Sequence, residues 1–365
     1  RRAFNELVAG AILVDKNLAE ININLALSSK NLSTFGAQVF DLARDTGKTF
    51  DEASKASAEF ARQGLGAAET LKRTRDALAL SRLANLDSVT ATDDLTAAIN
   101  SFSQSALTST EIVAKFAKVD ANFAVSSADL AESIKRVGST AEQGGVSIDK
   151  LIGLVTLAQQ TTSRGGAVIG NAFKTIFTRL ESSTTIEQLR GLGVEIDSTQ
   201  NGLQKLEAIA KRVKVVSPLD GAAIRELAAG KLQINILNSI LPDLATNYGI
   251  AARAADDSAS ATGEANKKNE ELNKTLAATV QSIKTSLTQL SGQIGTSAIS
   301  PILGNISEAL SAVAGGGVEK GGESIGATVG KGLAQGISNF ITGPGALLVT
   351  AGLAKLLTTF TLQAV

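Results

Sequence analysis

The sequence contains no histidine, cysteine, methionine or tryptophan. Without histidine and cysteine, the chain cannot form a Ser–His–Asp triad, a Cys–His nucleophile, a His-ligated metal site or a disulfide. The absence of thiols leaves the redox compartment open, because such a chain behaves alike in reducing and oxidising surroundings. Since position 1 is arginine rather than methionine, we expect these 365 residues to be part of a longer or processed product.

The sequence also has few aromatic residues, and neither positive nor negative charge is in excess. Lys and Arg number 35, as do Asp and Glu, so the chain has no surplus of cations for non-specific binding to nucleic-acid phosphates. The aromatic residues are 12 Phe and 1 Tyr, whereas aromatic side chains usually dominate thick cores and ligand pockets. Only 4 prolines interrupt the chain, which leaves long stretches for helices. The composition therefore predicts an all-α protein, mostly scaffold.

Several segments carry the signature of a helix start. Thr49–Glu52, Thr108–Glu111 and Thr184–Glu187 match the capping box, in which a hydroxyl and a carboxylate satisfy free N–H groups of a first turn. Ser126–Asp129 is a shorter relative of the same pattern. The helices between these signals are expected to be about 12–20 residues long and joined by Gly or Ser/Thr turns, which is typical of helical hairpins.

The clearest apolar stripe at helical spacing runs from Val168 to Leu180. We expect this face to be buried against neighbouring helices, either within the chain or between copies of it. Gly170 is expected where two backbones approach closely, because glycine has no Cβ to obstruct them. The predicted residues for core packing and assembly are Gly170, Phe173, Ile176, Phe177 and Leu180.

Three shorter patterns each allow a structural interpretation and a more specific one. Val194–Ile196, followed by Asn201–Gly202, is either a small β excursion or part of a loop. The segments 94–99 and 129–134 resemble each other at a spacing of 35 residues, which indicates a helical repeat or chance similarity in an Ala-rich chain. Arg164–Gly170 superficially offers a phosphate loop, but it lacks the Gly–Lys–Ser/Thr ending and favours a tight turn between helices.

The composition changes twice towards the C-terminus. Residues 256–274 are polar and charged, and the chain then continues to Leu290 without Gly or Pro, with Leu and other aliphatic residues on one face. This pattern predicts a long amphipathic helix near heptad spacing, which suits either a coiled coil between copies or packing on its own chain. Beyond it, Gly315–Gly336 contains nine glycines.

The last 21 residues, 345–365, carry one charge and just reach the length of a transmembrane helix. They form either a helix buried against neighbouring copies or a membrane-active segment. The candidate membrane residues are Gly345, Leu348, Leu353, Lys355, Leu356 and Phe360.

These patterns divide the chain into four predicted regions. A helical N-terminal segment covers residues 1–90, and a core of helical hairpins covers 91–255. The long amphipathic helix covers 256–300, and the Gly-rich apolar region covers 301–365.

The order of features between Asp94 and Lys211 resembles a known protein family. A helix at Asp129–Gly138 is followed by Gly144–Leu151, and then by Arg164–Leu180 and the motif Leu189–Val194. Together these segments resemble the core of phage tail tape measure proteins. The similarity extends over about residues 90–305, and Arg164–Leu180 ahead of the Leu–Gly–Val motif is its most specific part.

The resemblance implies a structural protein without cofactors, metal ions or catalytic residues. Several copies, as a trimer or hexamer, are expected to lie along the tail lumen, where chain length sets tail length. The protein would be released with the DNA at ejection and could help to form a conduit across the host envelope. The implied partners are the tail tube, the tail tip or baseplate, tail assembly chaperones, DNA passing without sequence-specific contacts, and the host membrane.

Two other functional classes remain open from the sequence. The Gly-rich and apolar C-terminal region is compatible with a pore-forming or membrane-perturbing helical protein. The second class is an enzyme that uses only carboxylates, since 35 acidic residues are present. Because these residues lie mainly on predicted first turns, where the helix dipole favours negative charge, we expect no enzymatic activity.

Overall fold

A computed structural model describes residues 2–246 and 249–293. These residues form a 3₁₀ turn at Ser103–Ser105 and fifteen α-helices. The helices are α1 (Arg2–Leu25), α2 (Ser29–Asp45), α3 (Phe50–Arg62), α4 (Ala67–Leu83), α5 (Ser88–Ser101), α6 (Ser109–Asn122), α7 (Ser127–Gln143), α8 (Ile148–Thr162), α9 (Gly166–Leu180), α10 (Ser183–Gly191), α11 (Gly202–Val213), α12 (Pro218–Leu244), α13 (Ile250–Ala259), α14 (Glu264–Asn273) and α15 (Leu276–Gln293).

The prediction of an all-α protein is confirmed, and no strand occurs in the part of the chain that the structure describes. The β alternative for Val194–Ile196 is wrong, since both side chains are buried in an irregular connection between α10 and α11. The Asn201–Gly202 pair is a helix start rather than a hairpin turn. The Asn201 side chain accepts a hydrogen bond from the backbone N–H of Gln204, and the Gln204 side chain accepts one from that of Asn201.

The predicted helix starts mostly agree with the structure. Thr49 and Thr108 form full capping boxes with Glu52 and Glu111. Ser126 caps α7 by accepting from the N–H of Asp129 at 3.0 Å. The prediction for Thr184 is wrong, because the N-cap position of α10 is Ser182, two residues earlier, and its side chain makes no capping hydrogen bond. A tetrapeptide that matches the capping box therefore does not by itself fix where a helix starts, because the chain can enter the helix at another residue.

Four helical hairpins follow one another between residues 29 and 180, namely α2–α3, α4–α5, α6–α7 and α8–α9. The second helices of the hairpins pack side by side, α3 on α5, α5 on α7 and α7 on α9. The helices α5, α7 and α9 start at Ser88, Ser127 and Gly166, so their period is 39 residues. This arrangement is a short stack of repeats, in which each hairpin buries its apolar face against its neighbours.

The repeat is visible in the buried positions of these three helices. Leu95, Ile134 and Phe173 are each separated by 39 residues, and all three are fully buried. The similarity at 35 residues is out of register with this period, because Asp94 lies in the middle of α5 whereas Asp129 lies in the first turn of α7. That similarity is therefore not the structural repeat.

The helices after the stack close one end of it. Helix α12 packs on α8, α9 and α11, and it bends sharply at Gly230, whose φ of 69° lies in the left-handed region. Glycine adopts this conformation without the steric cost that other residues meet.

The last described helices run back along the first helices of the hairpins. Helix α13 packs on α8 and α6, α14 packs on α6 and α4, and α15 packs on α2 and α1. We call α13–α15 the return segment. Its course brings residue 293 back towards the N-terminal end of the stack.

The return segment corrects the prediction of one long amphipathic helix over residues 256–300. The described part of that stretch belongs to three helices, which are separated at Ser260–Gly263 and at Lys274–Thr275. Gly263, the N-cap position of α14, has a φ of 71°, so a regular α-helix cannot continue through it from α13. The predicted boundaries at 90/91 and 255/256 lie inside α5 and α13.

The candidate membrane residues Gly345, Leu348, Leu353, Lys355, Leu356 and Phe360 lie outside the described residues. Among the helices that are described, none combines the length and apolar character needed to cross a bilayer.

Candidate functional site

The stripe that the sequence singles out lies on α9, the last helix of the hairpin stack, which packs on both α7 and α12. All five predicted packing residues, from Gly170 to Leu180, are buried within this single chain. The rings of Phe173 and Phe177 stack with their centroids 5.9 Å apart. Val168, at the start of the stripe, is instead 43% exposed. The stripe therefore belongs to the core of the protein, and its use in assembly stays a prediction.

Glycines on α9 allow α7 to approach very closely. A Cβ atom at Gly170 would lie 2.8 Å from the carbonyl oxygen of Ser133, and one at Gly166 would lie 2.3 Å from that of Asp129. Such distances are too short for a carbon atom beside a carbonyl group. The Ser133 hydroxyl also donates a hydrogen bond of 2.8 Å to the carbonyl oxygen of Gly166. Each of the two glycines is thus required by a backbone contact.

The carboxylate of Asp129 joins three consecutive helices at this contact. Its Oδ1 accepts from the N–H of Gly166 at 2.7 Å, and its Oδ2 accepts from Gln159 and from Ser126, each at 2.6 Å. Burial opposes ionisation of this carboxyl, but the three hydrogen bonds outweigh it and lower the pKa of Asp129 below its usual value. Because the carboxylate occupies the N–H of Gly166, this loop is a turn between helices rather than a phosphate site.

A polar contact recurs at the 39-residue period between the first helices of the hairpins. The Asp76 carboxylate of α4 accepts from the hydroxyl of Thr110 at the start of α6, at 2.9 Å. At the positions 39 residues further on, the Lys115 ammonium of α6 donates to Asp149 at the start of α8, at 2.8 Å. The two contacts occupy equivalent positions but use different residue types. A comparison of residue identity between the repeats therefore does not detect them.

At Asp76 burial outweighs the hydrogen bonds, which is the opposite of the balance at Asp129. The carboxyl also accepts from Ser109 at 2.6 Å, yet desolvation is the larger influence and raises the pKa of Asp76 above its usual value. The carboxyl of Asp94 behaves similarly. Burial raises its pKa, although Lys135 donates a hydrogen bond to it at 2.9 Å.

Lys205 is a buried cation that the sequence analysis missed. Its side chain is 1% exposed, and its ammonium donates to the carbonyl oxygen of Leu180 at 3.1 Å and to the carboxylate of Glu181 at 2.8 Å. The ammonium therefore caps the C-terminal end of α9, where the helix dipole favours positive charge. The sequence does contain a signal for this buried cation, because Lys205 stands next to Leu206 on the apolar face of an amphipathic helix.

A cavity of about 410 Å³ lies between α11 and the two arms of α12. It is lined by Ala210, Val213, Lys214, Arg225, Asn238, Leu241, Pro242 and Ala245. No pair of carboxylates faces this space, which acid–base hydrolysis of the kind considered for the sequence would need. Over the described ranges, no group of three or more acidic side chains is placed to hold a metal ion.

Comparison with known families decides the class of the protein. Residues 36–233 match the sequence model of the phage-related minor tail protein family. The chain belongs to this family. No solved structure matches the chain.

The match places this phage minor tail protein in a structural role in the virion tail. It begins in α2 and ends three residues after the bend of α12 at Gly230, so it covers the hairpin stack from residue 36 onward, α10, α11 and the first arm of α12. The resemblance seen in the sequence, at about residues 90–305, starts later and ends later than this match. Helix α1 and the return segment lie outside the matched residues.

Proposed function

We propose that this phage minor tail protein is a tape measure protein, which occupies the tail lumen and sets tail length during assembly. The observation that carries the proposal is the succession of motifs from Asp129–Gly138 to Leu189–Val194. In the structure these motifs form α7, the turn into α8, α9 and the end of α10, so they make up one continuous packed unit. The unit lies wholly inside the family match.

The charge distribution supports a position beside passing DNA. The chain has equal numbers of basic and acidic residues, and many of the cations are engaged within the chain. Lys115, Lys135 and Lys205, for example, each lie within 3 Å of a carboxylate oxygen. A chain with no surplus of cations offers few sites for exchange with phosphate counterions and therefore lets DNA pass.

The proposal includes several copies of the chain in one tail, as a trimer or hexamer. It also includes contacts with the tail tube, the tail tip or baseplate, and tail assembly chaperones. After release with the DNA, the protein would contact the host envelope.

Protease protection tests the luminal position. Intact particles and particles emptied by triggered ejection are treated with protease, and the protein is quantified by mass spectrometry. A luminal protein is protected in intact tails and is lost from emptied ones. Cleavage in intact particles at the same rate as in the free protein would contradict the proposal, and an exposed tail protein serves as the positive control.

A second candidate function is membrane perturbation by the C-terminal region, suggested by the apolar sequence from Gly345 to Val365. In the proposal this segment is shielded inside the tail and inserts on release, with Lys355 facing a wet lumen or a neighbouring copy. A single lysine at mid-depth costs about 2.5–3.5 kcal/mol on insertion scales, which a water-filled channel would avoid.

Dye release from liposomes tests this second function. The full chain is compared with a chain that ends at residue 300 and with the full-length Lys355→Leu variant. Dye release by the full chain, absent from the shortened chain, supports membrane perturbation. Equal behaviour of the two, with the C-terminal residues accessible to protease, supports packing against other copies instead.

A further inference from the structure

The cavity between α11 and the two arms of α12 combines cationic and apolar lining. Lys214 and Arg225 line it together with Asn238. Its remaining lining residues are apolar, among them Leu241 and Pro242, and no acidic residue is part of the lining. Its volume of about 410 Å³ lies within the range of ligand sites, which commonly combine apolar walls with a few polar groups.

Arg225 differs from the other buried and half-buried lysines and arginines of the described chain. Each of the others donates a hydrogen bond or lies within 4 Å of a carboxylate oxygen. Arg179, for example, donates to the carbonyl oxygen of Leu227 at 2.8 Å. Arg225 is half-buried, yet it has no hydrogen bond or ion pair within the part of the chain that the structure describes. Because a half-buried charge has lost part of its hydration, an unpaired guanidinium favours the binding of an anion.

The groups around Arg225 hold it in place without neutralising its charge. Gly221, one turn earlier on α12, is buried, and a Cβ atom there would lie 3.0 Å from Nη1 of Arg225. The guanidinium therefore packs against the start of α12. The acidic residues next to lining positions are engaged elsewhere. Glu226 lies 3.7 Å from the Lys231 ammonium, and Asp243 accepts from two backbone N–H groups at the start of α13, at 2.7 and 3.1 Å.

Exposed apolar side chains stand close in sequence to the two cations. Val215 follows Lys214 directly and is 74% exposed, and Leu219, in the first turn of α12, is 80% exposed. Exposed apolar side chains near arginine are typical of surfaces that bind other proteins. Since the family role is structural, the ligand expected here is a segment of another protein rather than a metabolite.

We propose that this cavity binds a peptide segment of a partner protein that carries both acidic and aliphatic side chains. A carboxylate of the segment would bind between Arg225 and Lys214, and an aliphatic side chain would lie against Leu241 and Pro242. A guanidinium and a carboxylate form two parallel hydrogen bonds, which fixes the orientation of the segment. The inference concerns a contact made by α11 and α12 and does not depend on the tape measure proposal.

Isothermal titration calorimetry of the full chain with short peptides tests the site. The probe is the peptide Glu–Leu–Asp–Leu–Glu with blocked termini, so that its carboxylates are those of side chains. Gln–Leu–Asn–Leu–Gln removes the charge at nearly constant shape, and Glu–Ser–Asp–Ser–Glu removes the aliphatic groups. We expect the probe to bind once per chain, with an affinity that falls as salt is raised. Each control peptide should bind at least about tenfold more weakly, and equal binding of either control would overturn the proposal.

Arg225→Gln removes the half-buried charge from the cavity. Arg164→Gln, at an exposed position in the turn between α8 and α9, is the matched control. We expect a loss of affinity for the probe of at least about tenfold in Arg225→Gln and no loss in Arg164→Gln. Circular dichroism checks that the helices persist in both variants. No binding of the probe by the unmodified chain, or equal affinity of the two variants, would overturn the proposal.

Two further measurements distinguish other occupants of the cavity. Hexanoate offers a carboxylate and an aliphatic chain without a peptide backbone, and equal affinity for hexanoate would overturn a peptide as the occupant. Analytical ultracentrifugation reports on self-association. Self-association of the unmodified chain that Arg225→Gln abolishes would assign the cavity to a second copy and would overturn a different protein as the partner.

Discussion

At the residue scale, small side chains decide how closely helices can pack, and Gly170 provides a clear test. An alanine there would place its Cβ 2.8 Å from a backbone oxygen of α7, so the helices must separate. Gly170→Ala is expected to lower the free energy of unfolding by about 1–3 kcal/mol, measured by urea denaturation. Gly191→Ala, where nothing lies within 4 Å, is the control. Equal stability of the two variants would contradict the close contact.

Large buried side chains also stabilise the region around α9, and Phe177 provides the test. Phe177 is 1% exposed, stacks on Phe173 and lies beside Gly202 at the start of α11. Phe177→Ala is expected to cost about 3–5 kcal/mol in denaturant unfolding, because truncation of a buried aromatic ring leaves a cavity. Thr178→Ala, at the exposed neighbouring position, is the control. A loss of unfolding free energy as large as that of Phe177→Ala would show that the measurement does not report on this core.

Two carboxyl groups, Asp129 and Asp76, contribute to stability with opposite pH dependences. Hydrogen bonds lower the pKa of Asp129 in the folded state, so its contribution to stability is present above pH 3.8 and is lost as the pH falls through the lowered pKa. Burial raises the pKa of Asp76, so folding becomes less favourable as the pH rises from 3.8 through the raised pKa.

Thermal unfolding measured against pH in acid separates these two effects. Relative to the unmodified chain, Asp129→Asn should lose less stability as the pH falls below 3.8, because it lacks the carboxylate that acid protonates. Asp76→Asn should gain less stability as the pH is lowered through the raised pKa. Difference curves of the same sign for both variants would contradict the assignment of the shifts.

At the element scale, helix starts depend on the register in which the chain enters the helix. Thr108 and Thr184 both stand three residues before a glutamate, but Thr108 alone accepts from the N–H of that glutamate. Thr108→Ala is expected to lower stability by about 0.5–2 kcal/mol in urea unfolding, since it frees a first-turn N–H. Thr184→Ala is expected to change stability much less. A larger loss for Thr184→Ala would show that the cap is misassigned.

Local patterns predicted the starts of α3, α6 and α7 and the buried face of α9 in the hairpin stack. The Thr49, Thr108 and Ser126 starts and the stripe from Val168 to Leu180 depend on neighbours three or four positions away, and such contacts are visible in a linear sequence. The 39-residue repeat was missed because it conserves burial rather than residue type. Asp76 and Lys115 occupy equivalent positions with opposite charges, so a search for similar letters cannot align them.

At the scale of the whole molecule, the path of the return segment was not predictable from local patterns. In this segment the side-chain amides of Asn269 and Asn273 donate to the carbonyl oxygen of Asp45, across more than two hundred residues of sequence. Polar contacts of this kind leave no periodic apolar signal. The heptad-like spacing from Leu272 to Leu290 suggested one continuous helix, whereas the chain breaks at Lys274–Thr275 into α14 and α15.

Tail length in electron micrographs tests the tape measure proposal most directly. In-frame deletions of roughly 40, 80 and 120 residues are made in the full-length gene outside the segment 36–233. A ruler that is extended and helical outside this segment rises 1.5 Å per residue, so tails should shorten by about 60, 120 and 180 Å. The matched deletion of residues 109–147 removes one folded hairpin period and should shorten tails by much less than 60 Å. Unchanged tail length across the viable deletions outside the segment would contradict the account.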